Sequence, residues 1–551
     1  MTPETEKKWW HNAVVYQIYP RSFMDMNDDG IGDLAGIISK LDYLQTLGIN
    51  VIWLSPVFRS PMDDNGYDIS DYEDIAPEFG TLSEMEQLIV EAERRNIRIL
   101  LDLVVNHTSD EHPWFLASRQ SKDNPYRDYY IWRQPASDGG PPNDFRSCFG
   151  GSGWEYDDAT GEYYLHQFTR RQPDLNWENP RVQQEIHQMM NRWLDKGIGG
   201  FRMDVIDLIG KEVDKQIMAN GANLHPLLQQ MNRATFGHRD VLTVGETWSA
   251  TPKTAKLYSD PERHELSMVF QFEHITQTWD AEFGKWRSKP FELMAFKSVI
   301  DRWQTGLADS GWNSLFWSNH DLPRAVSKFG DAHRYRVESA KLLAIVLHGL
   351  KGTPYIYQGE EIGMTNVRFD SLEAYRDVES HNLYQEFRAK GVPHEEMMAG
   401  IYANGRDNAR TPVQWSAQPH AGFTRGEPWI AVNPNYHEIN AEAALHDPDS
   451  LFYCYQRLIQ LRKEHEILVY GTYQMLLAEH PRLFAYQRTL GNRCLLVISN
   501  FSGEPVTLAL PQSLQHLSGE CLMSNYAPRS GWQEELSLHP WEAFMLLLHR
   551  Q

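Results

Sequence analysis

The stretch Gly200-Phe201-Arg202-Met203-Asp204-Val205 decides the fold, because it has the pattern of a strand that ends in polar residues. It follows a helix-like segment, residues 180–196, and a glycine-rich turn. Residues i and i+2 of a strand point to the same side, so Arg202 and Asp204 are predicted to face one space. An adjacent arginine favours the ionised carboxylate, as a nucleophile requires. A buried structural ion pair would give the same pattern, so the hexapeptide alone leaves both interpretations open.

Three further apolar runs also end in acidic residues or histidines. The runs are residues 97–101, 241–244 and 312–318, followed respectively by Asp102, Asn106 and His107, by Glu246, and by Asn319, His320 and Asp321. Helix-like segments separate the runs. Reactive residues at the carboxyl ends of successive strands are typical of a (β/α)₈ barrel. The sequence therefore predicts an α/β fold, a TIM barrel.

Composition limits the possible partners. The chain has 551 residues, of which 41% are hydrophobic and 23% charged, as in a globular protein of several domains or a large barrel with additions. The net charge of −22 argues against nucleic acid or an anionic membrane as partner, because both require a basic surface. A small neutral substrate fits this charge.

Targeting segments and cysteine motifs are not recognised. No apolar run approaches the roughly 18 residues of a membrane helix, and residues 1–8 lack the apolar core of a signal peptide. The four cysteines, Cys148, Cys454, Cys494 and Cys521, follow no metal-binding spacing. We expect reduced thiols in a cytoplasmic monomer that has no organic cofactor.

The four strand-end motifs, in this order and at this spacing, resemble those of the α-amylase family, glycoside hydrolase family 13. Matching motifs run from Val14 to about Trp415, and residues 172–179 resemble the oligo-1,6-glucosidase branch. The resemblance implies a barrel of residues 1–105 and 177–469, with subdomain B, residues 106–176, inserted after the third strand. Alternating segments from residue 470 to 551 predict a C-terminal antiparallel β domain, a β-sandwich.

Within that organisation, the coarse pattern predicts particular elements. Helices are expected at residues 34–47, at 450–466, and from a capping box that begins at Thr81 to about residue 95. The last barrel strand is expected at residues 353–357. A long loop region is expected after it, up to the segment that carries Arg410.

The resemblance implies a retaining exo-α-glucosidase. Retention requires two carboxyl groups about 5–5.5 Å apart, one as nucleophile and one as acid/base. We assign Asp204 as nucleophile, kept charged by Arg202, and Glu246 as acid/base. Asp321 is the third carboxylate, expected to bind sugar hydroxyls and favour ring distortion.

The resemblance also implies a set of substrate-binding residues. Asp64 is expected to contact sugar hydroxyls, Tyr67 to stack on the non-reducing glucose, and the histidines to donate to hydroxyls. Phe149 and Phe168 either contact the aglycone or pack in a small core. The full set is Asp64, Tyr67, His107, Phe149, Phe168, Gln172, Arg202, Val205, His320 and Arg410.

Linkage preference is inferred from Val205. In this branch a valine after the nucleophile accompanies α-1,6 activity, so isomaltose, isomaltulose and trehalulose are the expected substrates. Sucrose isomerases share the valine but carry an arginine-rich loop after the acid/base, and residues 275–280 contain no arginine. Trehalose-6-phosphate hydrolase stays an alternative that would need a basic phosphate pocket. The non-enzymatic heavy chains of amino-acid transporters require a membrane helix and are disfavoured.

Residues 25–33 resemble the ligand half of a calcium loop. Oxygen-bearing residues alternate, with a glycine for the turn, and a polar turn before a helix is the other interpretation. Calcium is favoured over magnesium because the ligands would all be protein groups. The expected ligands of this structural calcium are Asp25, Asn27, Asp29, Asp33 and the carbonyl of Ile31.

Overall fold

A ring of eight parallel strands forms the centre of the computed structural model, which describes residues 6–549. In chain order the strands are β1 (Val15–Ile18), β2 (Val51–Leu54), β3 (Arg98–Leu103), β4 (Gly200–Met203), β5 (Leu242–Glu246), β6 (Met268–Phe270), β7 (Ser314–Phe316) and β8 (Thr353–Tyr357). Neighbours pair in the order β6-β5-β4-β3-β2-β1-β8-β7. A parallel bridge between Val269 and Asn313 joins β6 to the start of β7 and closes the ring. The predicted TIM barrel is confirmed.

Helices surround the barrel and follow its strands. They are Leu34–Ser39 with Leu41–Leu47, Leu82–Arg94, Pro180–Asp195, Leu224–Ala234, Pro252–Ser259, Leu293–Gly306, Arg336–Gly349 and Leu451–Glu464 with Glu466–Tyr470. The first differs from the single helix we predicted, because Lys40 leaves helical geometry with φ −107° and ψ 5°. At the next helix the Thr81 hydroxyl accepts the backbone N–H of Glu84, as the capping motif predicts.

The barrel strands are buried on both faces, which is why they appear in the sequence as continuous apolar runs. All residues of β1, β2 and β4 are buried. Arg202 in β4 is 1% exposed. A charge buried to that degree must be paired, so this position already points to a polar cluster inside the ring.

Subdomain B follows β3 and contains a small antiparallel sheet. Its elements are helix Pro113–Ser118 and strands Trp132–Arg133, Trp154–Asp157 and Glu162–Leu165. Two bridges, His107 to Asp174 and Tyr130 to Leu175, join the start of the insertion to its end. The insertion is therefore anchored at the carboxyl end of β3.

Our prediction of a long loop after β8 was wrong. The segment contains two helices, Val378–Ala389 and His394–Asn404, and a single helical turn, Asp407–Arg410. A Gly-Val-Pro segment separates the helices. Their apolar residues pack with Phe149 and Trp286 in a small core apart from the barrel. Too few apolar positions repeat at helical spacing for this segment to stand out in the sequence.

The C-terminal region forms two antiparallel sheets. One has five strands in the order Thr472–Leu476, Leu483–Leu490, Arg493–Asn500, Ala543–Leu548 and Gly519–Ser524, and the other pairs Val506–Ala509 with Glu535–Leu538. Side chains of both sheets share one apolar core, as in a β-sandwich. The predicted antiparallel β domain is confirmed.

Arg488 joins this domain to the barrel. Its guanidinium donates to the carbonyl oxygens of Gly349, at the end of a barrel helix, and of Gly471. Across residues 6–549 no helix is long and apolar enough to cross a membrane. The four cysteines are free thiols. The outer domain limits that we predicted, residues 1 and 551, lie outside the described residues.

Candidate active site

Arg202 is the centre of the polar cluster at the carboxyl ends of the barrel strands. Its Nη1 donates to Oδ1 of Asp102 at 3.0 Å and to Oδ1 of Asp204 at 2.9 Å, and its Nη2 donates to Oε2 of Glu246 at 2.7 Å. The cluster follows from strand order, because β3, β4 and β5 are neighbours and Asp102 pairs in register with Arg202. One guanidinium therefore binds three buried carboxyl groups.

The surroundings of Asp204 oppose the charged state that we expect Arg202 to maintain. Burial, and then the negative charge of Glu246, raise the pKa of Asp204 well above its ordinary value, although Arg202 lowers it. A single cation shared among three carboxylates does not compensate for their burial. Burial and Glu246 therefore favour the protonated form of Asp204, and Arg202 opposes them.

Val205 adopts a strained backbone conformation directly after Asp204. Its φ of 35° and ψ of 43° lie in the left-handed region, which a β-branched residue rarely enters. This turn directs the backbone N–H of Val205 to Oε2 of Glu246 at 3.1 Å. Such strain persists where the surroundings enforce it and is frequent at active sites.

Asp321 lies opposite this cluster, between two arginines. Nη2 of Arg410 lies 3.0 Å, and Nη1 of Arg406 3.3 Å, from Oδ1 of Asp321. Burial lowers the pKa of His320, the neighbouring residue, to about 3, so its ring is neutral at pH 7. Burial would raise the pKa of Asp321, but the positive charges of the two arginines help to hold that pKa below its ordinary value. Asp321 is therefore ionised.

Arg406 extends the network to the loop after β2. Its Nη2 lies 3.0 Å from Oδ1 of Asp64 and 2.6 Å from Oδ1 of Asp377. Burial raises the pKa of Asp64 to about 6, against the lowering effect of Arg406. The two arginines thus hold three acidic side chains in fixed positions.

Subdomain B contributes Gln172 to the same end of the site. Its Nε2 donates to Oδ2 of Asp64 at 3.2 Å and to the carbonyl of Tyr67 at 2.9 Å. Nε2 of His107 lies 2.9 Å from that carbonyl, and burial lowers the pKa of His107 to about 4. The Tyr67 ring stacks on the His320 ring, with centroids 5.0 Å apart and planes at 5°.

These networks form the closed end of a cavity of about 600 Å³, a size that suits a small ligand. Phe149 and Phe168, with their rings 5.4 Å apart, belong to the aromatic wall of the same cavity, which we call the mouth. Phe149 also belongs to the small core below the mouth, so it fits both interpretations we made. The remaining aromatic residues of the mouth are Trp248, Trp279, Phe283, Trp286 and Phe387.

Residues 17–471 match the family described as Alpha amylase, catalytic domain, and residues 483–544 match the Alpha-amylase SusG C-terminal domain. The chain belongs to the α-amylase family, glycoside hydrolase family 13. It is 65% identical over 544 residues to a palatinase of Erwinia rhapontici, which covers 98% of this chain and 99% of that one. It is 55% identical over 555 residues to an oligo-1,6-glucosidase of Parageobacillus thermoglucosidasius, covering 98% of each.

A crystal structure of trehalose-6-phosphate hydrolase from Bacillus licheniformis superposes with a TM-score of 0.95 at 45% identity, over 99% of this chain and 100% of that one. All three relatives align over nearly their full length, so this chain shares their whole architecture. It is a glycoside hydrolase, and its relatives support α-glucosidase activity.

Sequence reasoning missed two residues of this glycosidase site, Arg406 and Asp377. Arg406 lies four positions before Arg410, which places both on one face of a helical turn, and that spacing was a usable signal. Asp377 caps helix Val378–Ala389 by accepting the N–H of Glu379. No local signal distinguishes it from an ordinary helix cap.

The residues of the predicted calcium loop converge in part. One terminal atom of the Asn27 amide lies 2.8 Å from Oδ1 of Asp25 and 2.9 Å from Oδ1 of Asp29. If that atom is nitrogen it donates to both carboxylates, and if it is oxygen a cation must lie among the three oxygens. Asp33 caps the following helix and accepts N–H groups of Met26 and Gly36. Within residues 6–549 no three His, Cys, Asp or Glu side chains form a metal-type cluster, so the amide and a carbonyl would have to complete the set.

Proposed function

We propose that this enzyme is a retaining exo-α-glucosidase that releases glucose from the non-reducing end of short α-glucosides and prefers α-1,6 linkages. The observation that carries the proposal is the placement of Asp204 and Glu246 on neighbouring nitrogens of Arg202 at the closed end of the cavity. Carboxyl groups bound to one guanidinium are close together, as retaining enzymes require, whereas inverting enzymes separate them by roughly 6.5–9.5 Å.

In the proposed reaction Asp204 attacks the anomeric carbon as Glu246 protonates the glycosidic oxygen. The bond to the leaving sugar breaks, and a glucosyl ester on Asp204 forms. Glu246, now ionised, then takes a proton from a water molecule that attacks the same carbon and frees glucose and Asp204. Burial and the charge of Glu246 favour the protonated form of Asp204, so the reaction requires Asp204 to lose that proton before the attack.

The network of Arg406 and Arg410 supports recognition of a single terminal glucose. The guanidinium groups, with Asp64 and Asp321, present fixed donors and acceptors that match the hydroxyls of one sugar ring. These side chains are buried at the closed end, so a longer glucan has no room beyond that ring. Starch is therefore expected to be a poor substrate.

Charge favours a neutral substrate over a sugar phosphate. The cavity lining carries seven acidic residues but two basic ones, Arg406 and Lys285. Arg406 is engaged by Asp64, Asp321 and Asp377, and Lys285 is paired with Glu379. Neither is available to bind a phosphate, which argues against trehalose 6-phosphate as substrate.

The mouth supports hydrolysis of α-1,6-linked disaccharides over sucrose isomerisation. Val205 lines the cavity beside the nucleophile, and Trp279, in the segment that is arginine-rich in isomerases, lines the mouth. That segment, residues 275–280, carries no arginine to hold a released fructose. The palatinase relative, named for palatinose (isomaltulose), favours the same substrate class.

We also propose that residues 25–33 hold a structural calcium ion. Carboxylate oxygens of Asp25, Asp29 and Asp33, the amide oxygen of Asn27 and the carbonyl of Ile31 are the donor types calcium prefers. A bound cation would offset the repulsion between these acids at the barrel rim. It has no part in the reaction proposed above.

Azide rescue tests the two catalytic assignments separately. With a nitrophenyl α-glucoside, Asp204→Gly plus azide should give β-glucosyl azide, because azide replaces the missing nucleophile and inverts the carbon. Glu246→Ala plus azide should give α-glucosyl azide, because Asp204 still forms the ester and azide replaces water. The same anomer from both variants, or no rescue of either, would overturn the assignment.

A product assay on six sugars then tests linkage and class. Isomaltose, isomaltulose, trehalulose, maltose, sucrose and trehalose 6-phosphate are compared by kcat/KM and by chromatography of products. The proposal requires the α-1,6-linked glucosides, isomaltose and isomaltulose, to be cleaved best. A preference for maltose or trehalose 6-phosphate, or conversion of sucrose into isomers, would contradict it.

A further inference from the structure

The two carboxyl oxygens of Glu246 have different surroundings. Oε2 accepts Nη2–H of Arg202 at 2.7 Å and the backbone N–H of Val205 at 3.1 Å. Two donors occupy its lone-pair directions, so a proton has no place on this oxygen. A proton that Glu246 delivers to a leaving group must therefore sit on Oε1.

Oε1 accepts one hydrogen bond, from the indole Nε1–H of Trp248 at 2.7 Å. An oxygen with one such bond can still carry a proton, in contrast to Oε2. A hydrogen bond from an N–H group stabilises the ionised form of a carboxyl group more than the neutral form. This contact therefore assists the state that Glu246 reaches when it has given up its proton.

The indole ring of Trp248 is fixed in orientation. It stacks on Phe272, with ring centroids 3.8 Å apart and planes at 8°. Phe272, two residues after the end of β6, is itself 2% exposed. Trp248 is 36% exposed and lines the cavity, so the ring packs on Phe272 and also borders the cavity.

We propose that Trp248 is a positioning residue for the acid step: its N–H fixes Oε1 of Glu246 as the proton-delivering oxygen and stabilises the carboxylate that forms. The proposal rests on the assignment of Glu246 as acid/base. Its consequence is specific, because the contact matters when the leaving group needs a proton and little when it does not.

Other titratable groups face Glu246 and would complicate a pH profile by itself. They are Arg202 on β4, Asp204 directly after it, and Asp207 in the following turn, hydrogen-bonded to Ser249. Burial raises the pKa of Asp207 to about 6, and the charge of Glu246 adds to that shift. A test must therefore vary the leaving group as well as the pH.

Trp279 offers a matched control on the same wall. Its ring lies 5.8 Å from that of Trp248 and lines the cavity, and its indole nitrogen has no hydrogen-bond partner among the described residues. Trp248→Phe and Trp279→Phe thus remove the same atoms from the mouth, but only Trp248→Phe removes a donor to Glu246.

The experiment measures kcat/KM of both variants on isomaltose and on aryl α-glucosides of graded leaving-group acidity. Trp248→Phe should lower kcat/KM on isomaltose about ten- to a hundredfold, the effect of one hydrogen bond to a charged group. The loss on nitrophenyl α-glucoside should be about threefold or less, because an activated leaving group needs little protonation. The leaving-group dependence should steepen, and the alkaline limb of the isomaltose profile should move to higher pH.

Trp279→Phe should alter KM and leave the leaving-group slope and the alkaline limb as in the wild type. Equal losses of Trp248→Phe on both substrates, or the same slope in both variants, would overturn the proposal. An unchanged melting temperature excludes misfolding as the cause. If Glu246→Ala fails azide rescue, the acid/base assignment fails and this proposal with it. If Glu246→Ala is rescued but Trp248→Phe leaves the slope unchanged, this proposal alone fails.

Discussion

The closed end and the mouth of the cavity are built on different principles. At the closed end, Arg202 and Arg406 each bind several buried carboxyl groups. At the mouth, aromatic rings come from subdomain B, from the turn after β5, from the segment after β6 and from helix Val378–Ala389, and they contact one another, in two pairs edge to face. Directional hydrogen bonds and ion pairs fix the side chains of the closed end, whereas packing of aromatic rings determines the shape of the mouth.

This difference separates the two halves of a disaccharide substrate. The closed end has a single arrangement of donors and acceptors, which suits one glucose and the reaction at its anomeric carbon. The mouth offers apolar contact area to the aglycone, and contact area tolerates variation in the shape of the aglycone. Substitutions at the closed end should therefore affect all substrates alike, whereas those at the mouth should change the ranking of substrates.

The largest expected effect is at the reacting carboxyls. Asp204→Asn and Glu246→Gln should each lower kcat on isomaltose by about 10⁴-fold or more, because each removes a group that acts in the transition state. The amides preserve shape, so circular dichroism and the melting temperature should show an intact fold. Near-normal turnover of isomaltose by either variant would show that the substituted carboxyl group is not catalytic, and the distinction between closed end and mouth would lose its support.

The next effect in size is at Arg406. Arg406→Lys keeps the charge but loses the planar fork that binds Asp64 and Asp377, so kcat/KM should fall about a hundredfold on every α-glucoside, given roughly 1.5–3 kcal/mol for each lost charged hydrogen bond. Arg287→Lys is the control, since Arg287 pairs with Glu396 at the surface, where its side chain is 43% exposed. If kcat/KM fell on isomaltose alone, Arg406 would act on the aglycone, as we expect of residues at the mouth, and the comparison would be wrong at this residue.

Val205 lines the cavity next to Asp204, and Val205→Thr should have an intermediate effect. One methyl becomes a hydroxyl beside the leaving sugar, so the isomaltose-to-maltose ratio of kcat/KM should shift toward maltose by roughly ten- to two-hundredfold at most. Rates on nitrophenyl α-glucoside should change less. An unchanged ratio would mean that the linkage preference is set elsewhere at the mouth.

The smallest effect on catalysis is expected from chelation, since the calcium loop belongs to neither end. Removal of the cation should lower the melting temperature by a few degrees through lost binding free energy. At moderate temperature kcat and the substrate ranking should stay the same. A melting curve that is indifferent to chelator, together with no metal by elemental analysis, would exclude the ion.

The sequence was most informative where strands are buried on both faces. β8 has the limits we predicted, because its apolar run is continuous and ends at a turn. β6 was not predicted: it spans three residues, Met268–Phe270, and no catalytic motif follows it. The two helices after β8 were not predicted from the sequence, because the small core that they form requires few apolar positions.

The site was predictable where a residue is fixed by its own strand and unpredictable where distant segments meet. Asp204, Glu246 and Asp321 each lie at or after the end of a barrel strand, and the cavity brings them together. Arg406 joins Asp64 to Asp377 across more than three hundred positions of the chain. The raised pKa of Asp204 was also not predicted, because it depends on burial and on how many carboxyl groups share Arg202.

The raised pKa of Asp204 has a consequence for how the enzyme binds its substrate. Burial and the charge of Glu246 favour the protonated form of Asp204, whereas the proposed reaction needs the proton on Glu246. A proton passed from Asp204 to Glu246 would prepare nucleophile and acid in one internal transfer, without exchange with bulk water. Binding of a substrate analogue should then neither release nor take up protons, and its calorimetric enthalpy should be the same in buffers of different ionisation enthalpy.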